Sequence, residues 1–150
     1  MVKIMRDCWN ANRDKLREVL ASRTDLNDCD YSLLVKLTFE SIYTGEDDLD
    51  LEHITVIDDG DYQGTLLFLI PFKTYQPSEY EYIMSYIGYG SCAGCDALEA
   101  AKAWDYNDHL TDEQVKRFMS ICKDLVCNTI KPYNCGWREE SEWLPAEEVK

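Results

Sequence analysis

The residues best suited to chemistry in this chain are the two thiols of Cys92-Ala93-Gly94-Cys95. Cysteines at this spacing can face one point, and the pattern supplies half of many tetrahedral zinc sites because thiolates are strong ligands for that ion. Cys122, Cys127, Cys135, His53 and His109 are the available sources of further ligands. Cys122 and Cys127 stand five apart on one expected helix and point in different directions, so at most one of them joins. The expectation is a structural zinc on Cys92, Cys95 and Cys122, weighed against simple burial of the cysteines and against a metal-dependent or thiol enzyme that uses Cys92 and Cys95 directly. A thioredoxin-like site needs a preceding βαβ unit, and the sequence before Cys92 reads as an antiparallel meander instead.

The carboxylates are the second feature. From Leu37 to Ala101 there are thirteen of them and one base, Lys73, so −12 of the chain's net charge of −14 falls in that stretch. Such a surface repels nucleic acid and attracts basic proteins, because summed charge governs long-range association. Glu46, Asp47, Asp48, Asp50, Asp58, Asp59 and Asp61 fall in a loop and a turn and are the candidate partner-binding residues. Regularly placed carboxylates can stand in for DNA phosphates in a basic channel. The plain alternative is a solvated acidic face that keeps the protein soluble.

Other chemistries lack their parts. The paired aspartates do not have the alternating ligands and closing glutamate of an EF-hand. Gly88-Tyr89-Gly90 is followed by no lysine and lies among acids, which excludes a phosphate cradle. His53 and His109 sit in unrelated surroundings with no nucleophile elbow nearby, so no hydrolase constellation is present and no catalytic residue is assigned. Alternating tyrosines at Tyr80, Tyr82 and Tyr86 would stack bases only in a basic groove, which the surrounding acids deny.

The elements that must position these residues follow from periodicity. Residues 2–21 carry apolar side chains at helical spacing, with a break expected at Asn10 to Asn12. Asp30 reads as the N-cap of a second helix that Gly45 stops. Ile54 and Val56 alternate as in a strand, and Asp58-Asp59-Gly60-Asp61 offers hairpin chemistry. The apolar run Thr65 to Ile70 predicts a central strand covered on both faces, and Glu79 to Ile87 alternates as a third strand. Ala97, Leu98, Ala101 and Trp104 predict a helix after the cysteines. A final helix opens on a Thr111/Gln114 capping box and carries the stripe Val115, Phe118, Met119, Cys122, Leu125, Val126 and Thr129. The expected fold is α+β: a three-stranded antiparallel meander with two N-terminal and two C-terminal helices packed on it.

A chain of 150 residues with 45% apolar content, ten tyrosines and four tryptophans fits one globular domain over 1–150, with 133–150 as a tail that docks by Trp137 and Trp143 or stays loose. No run approaches a membrane span, and the first residues do not read as a secretory signal, so a cytoplasmic location is expected. The seven cysteines are then expected to be reduced.

The segment Tyr89-Gly90-Ser91-Cys92-Ala93-Gly94-Cys95-Asp96 resembles one found in small phage-encoded proteins, and covers about a tenth of the chain. In size and charge the chain is similar to acidic phage proteins that mimic DNA or inhibit restriction or CRISPR nucleases. The resemblance implies a non-enzymatic host-defence inhibitor that acts in the host cytoplasm. Its partner would be a basic nucleic-acid-binding surface of a host nuclease, with a CRISPR effector as the leading case, and its effect the blocking of DNA loading. A phage structural or replication accessory protein is the third reading.

Overall fold

The computed structural model describes residues 2–102 and 109–130. Helices α1 (Val2–Ser22) and α2 (Tyr31–Ile42) precede strands β1 (Thr55–Asp58), β2 (Gly64–Pro71) and β3 (Tyr82–Tyr89), and helices α3 (Ala97–Ala101) and α4 (Asp112–Cys127) follow. The strands form an antiparallel sheet in the order β1-β2-β3, which is the expected α+β meander with helices before and after it. Among the described residues no helix is long and apolar enough to cross a membrane. Trp104, Cys135, Trp137, Trp143 and the 133–150 tail lie outside the described residues.

α1 does not break at Asn10 to Asn12. Instead the Asn12 side-chain amide donates to Cys8 O at 3.1 Å and to Ile42 O at 3.2 Å. The first bond closes back on its own helix, and the second satisfies an orphan carbonyl at the end of α2, so the polar residue joins two helices. α2 begins where Asp30 accepts from Leu33 N at 2.9 Å, as an N-cap should. It ends at Ile42 and not at Gly45, because Asn12 already serves the last carbonyl and Tyr43 turns into extended backbone. Gly45 has a different reason to be glycine: a Cβ there would run into the Tyr43 ring.

In the sheet, Phe68 pairs with Ser85 and Ile70 with Ile83, and these side chains are buried beneath the helices. The opposite face, with Leu67, Leu69, Met84 and Tyr86, is only half-buried among the described residues. The expectation of a strand covered on both faces is therefore met on one face alone. Ser85 donates its hydroxyl to Leu125 O at 2.7 Å, which fixes β3 against α4.

α4 carries the capping box in full: Gln114 N donates to Thr111 Oγ1 at 3.2 Å, and Thr111 N donates to Gln114 Oε1 at 3.0 Å. Val115, Phe118, Met119, Cys122, Leu125 and Val126 are buried as the stripe requires. Ile121 is buried too, because α4 packs against α1, α2, α3 and β3 and has more than one inward face. Past α4, Met84 and Ile130 exchange backbone hydrogen bonds of 2.7 and 2.8 Å, so the chain returns along the free edge of β3. The outer edge of β1 has no strand beside it among the described residues.

Candidate functional site: an acidic sheet edge and an exposed dithiol

The fold divides the seven candidate acids into two groups. Glu46, Asp47, Asp48 and Asp50 belong to a loop held at one end of β2: Lys73 N donates to Asp48 O and Asp50 N donates to Pro71 O, both at 2.8 Å. Asp58, the last residue of β1, and Asp59 and Asp61, in the connection to β2, lie at the other end. Asp58 pairs with Leu66 and Asp50 N is bonded to Pro71 O, so at roughly 3.3 Å per residue the near ends of the two groups are about 17 Å apart. Between them lie Thr55, Val56 and Ile57 of β1, all exposed, with Val56 at 42% and Ile57 at 47%.

The acids also differ in what they do inside the molecule. Asp58 accepts from Gly60 N at 3.0 Å and from the Tyr89 hydroxyl at 2.7 Å. Those bonds, the tyrosine's first, hold its pKa below the usual carboxylate value, and the same contact pushes Tyr89 up to about 12. Asp59 accepts from Thr65 N at 2.6 Å and closes the hairpin, which is longer than a two-residue Asp-Gly turn. Asp50 meets His53 Nδ1 at 2.7 Å, and this bond is the main cause of its lowered pKa. Glu52 is paired with Lys36. Glu46, Asp47, Asp48 and Asp61 have no side-chain partner among the described residues. An open hollow of about 270 Å³ between α2 and the Asp48–Glu52 loop is lined by both signs of charge, Lys36 and Lys73 facing Glu40, Asp48, Asp50 and Glu52. Charge there is partly neutralised, and the outward excess rests on the unpartnered acids.

The cysteine loop follows β3 at the sheet end that carries the Asp58–Asp61 turn, since Gly64 and Tyr89 are paired. Cys95 N and Asp96 N both donate to Cys92 O, at 2.9 and 2.8 Å, and wind the segment into one tight turn. Gly90 is needed for that turn: a Cβ on it would lie 2.5 Å from Cys95 O and 2.7 Å from its sulfur. Asp96 anchors the loop. It is 6% exposed and accepts from Leu98 N at 2.8 Å, Glu99 N at 3.0 Å, Gly90 N at 2.9 Å and the Tyr31 hydroxyl at 3.0 Å. It is thus the N-cap of α3 and an interior bridge to α2, and it does not belong to the acidic surface to which its place in the charge count assigned it. Burial pushes the Tyr31 hydroxyl well above its ordinary range, so it remains a donor.

The two sulfurs lie 2.7 Å apart and both residues are exposed. Cys95 Sγ accepts from Cys92 N at 3.1 Å, and hydrogen bonding from the Cys92 thiol, followed by backbone N–H donors, lowers its pKa. The other thiols are different. Cys8, Cys29 and Cys122 are buried, and burial pushes Cys29 up to about 11 and Cys122 up to about 12; it raises the partly buried Cys127 as well. The structure places Cys92 and Cys95 together on the surface and Cys122 inside α4. Among the described residues no three Cys, His, Asp or Glu side chains form a group that could hold a metal. A tetrahedral zinc on this pair would need further ligands from outside those residues, where Cys135 lies.

Sequence reasoning paired the cysteines and placed the acids in loop and turn, but missed Asp96, Tyr31 and Tyr89. For Asp96 there was a local signal, an aspartate directly before Ala97-Leu98-Glu99, which is N-cap chemistry. Fold and site together define a class: an acidic α+β protein with an acid-flanked edge strand, unpaired on its outer side among the described residues, and an exposed dithiol turn. Comparison with protein-family models, with curated proteins and with solved structures gives no match in any of the three.

Proposed function

We propose that this chain is a non-enzymatic binding protein that docks its acidic sheet edge on a basic protein surface which otherwise holds nucleic acid, in the manner of an inhibitor of a host-defence nuclease. The observation that carries the reading is the edge strand β1, flanked by acids about 17 Å apart along β2 and presenting Val56 and Ile57 to solvent. An unpaired strand edge is a template for main-chain pairing, and acids at both ends select a basic segment to lie there. Duplex DNA carries about one charge per 1.7 Å, so a stretch of that length holds about ten, against seven acids at the two ends here. The chain is a sparser anion than the DNA it would displace, and apolar edge contacts would make up part of the difference.

The experiment is competition at low salt. Guide-loaded CRISPR effectors and other host-defence nucleases are incubated with the protein, and DNA loading is read by gel shift. Inhibition that weakens with salt, and that is lost on replacing Glu46, Asp47, Asp48 and Asp61 with lysine, supports the reading. A captured nuclease that still loads DNA, or one held equally well by the charge-reversed variant, overturns it.

A further inference from the structure

We propose that Cys92 and Cys95 form a reversible redox pair that closes to a disulfide by exchange with small-molecule disulfides, independently of whatever the acidic edge binds. The geometry carries it. The sulfurs are 2.7 Å apart on an exposed turn, within about 0.7 Å of a covalent S–S bond. The backbone is already in place, because both Cys95 N and Asp96 N are tied to Cys92 O and the buried Asp96 fixes the turn to α3 and Tyr31. Closing the pair therefore takes a small side-chain movement and no change in the elements around it.

Roles within the pair follow from the donors. Cys95 Sγ receives the Cys92 N–H, which favours its thiolate and makes it the attacking atom. In the first step the Cys95 thiolate attacks one sulfur of a disulfide RSSR, forming a Cys95–S–S–R bond and expelling RS⁻. In the second, Cys92 gives its proton to the RS⁻ already released and attacks the Cys95 sulfur, forming the Cys92–Cys95 bond and expelling a second RS⁻, which takes up from solvent the proton that Cys95 lost. Two protein thiols are oxidised, one disulfide is reduced to two thiols, and excess thiol reverses the sequence. With a chain charge of −14 the favoured reactant is a cationic disulfide, since an anionic one is repelled on approach.

The test uses the full chain carrying Cys135→Ser, with cystamine as the oxidant and thiol alkylation read by mass spectrometry. The expected product has lost two hydrogens and resists alkylation at Cys92 and Cys95 alone, and dithiothreitol restores both thiols. Cys92→Ser should stall with one cysteamine attached at Cys95. Cys95→Ser should react several-fold more slowly, because the sulfur that the Cys92 N–H stabilises as a thiolate is gone. The proposal is overturned if both thiols stay alkylatable after oxidation, if the protein with both cysteines stalls as a mixed disulfide, or if the purified protein holds about one equivalent of zinc that blocks both.

Discussion

Tyr89 at the end of β3 donates its hydroxyl to Asp58 at the end of β1, 2.7 Å away and across the full width of the sheet. The bond needs the tyrosine protonated and the aspartate ionised, which is why Asp58 is shifted down and Tyr89 up, to about 12. It also joins the strand that leads into the cysteine turn to the strand that carries the acidic edge.

The contact should report on pH at both extremes. Asp58 has its pKa lowered in the folded state, so its stabilising effect is complete above the unfolded value near 3.8 and is lost as pH falls through the folded one. For Tyr89 the sign reverses: the effect is complete below about 10 and is lost as pH rises through about 12. In Tyr89→Phe, the Asp58 carboxyl followed by NMR should titrate closer to an ordinary aspartate. No movement of the Asp58 midpoint would show that the hydroxyl does not set it.

Asp96 should be the acid with the largest effect on stability. It caps α3 and holds Tyr31 and Gly90, and its removal takes the acceptor from the buried Tyr31 hydroxyl and from the part-buried Gly90 and Glu99 N–H groups, while Leu98 N still reaches the Tyr31 oxygen at 3.2 Å. Loss of a cap costs about 1 kcal/mol and each orphaned buried donor about 1 to 3, so Asp96→Ala should lose about 2 to 4 kcal/mol in denaturant unfolding. Asp96→Asn keeps one acceptor oxygen and should lose less. A loss below about 0.5 kcal/mol in Asp96→Ala would sink the anchoring role.

Phe118 tests the core of α4. It is fully buried, and Phe118→Ala should cost about 3 to 5 kcal/mol through lost transfer energy and the cavity left behind. Calorimetry or urea unfolding gives the number, and a change under about 1 kcal/mol would mean the site collapses around the gap.

What could be read in advance was local. Thr111 and Gln114 are three residues apart and Asp30 lies three before Leu33, so cap chemistry and helix start are written within one turn of chain. The meander was legible because alternation and turn residues are also short-range signals. Contacts that close over long separations were not. Asn12 meets Ile42 thirty residues on, Tyr89 meets Asp58 across thirty-one, and Tyr31 meets Asp96 across sixty-five; from the sequence Asn12 read as a breaker and Asp96 as a surface charge, and Tyr89 had no partner assigned. The acids were legible as a loop and a turn, but the distance between the two groups depends on the register of β2, which no charge tally contains.

Bonding divides the same acids differently, into those that build the fold and those free to bind. Asp58 and Asp59 hold the β1–β2 connection through Gly60, Tyr89 and Thr65, so lysine at either position removes an acceptor the hairpin uses. Glu46, Asp47, Asp48 and Asp61 hold no side-chain partner among the described residues, and lysine there relieves repulsion without breaking a bond. Two double-lysine variants should therefore behave oppositely in thermal unfolding. Asp58→Lys with Asp59→Lys should lower the midpoint, whereas Asp47→Lys with Asp48→Lys should leave it unchanged or raise it slightly, most visibly at low salt where surface charges are least screened. Equal midpoints for the two variants would mean that the hairpin bonds contribute nothing measurable, and all seven acids would then be equivalent surface charges.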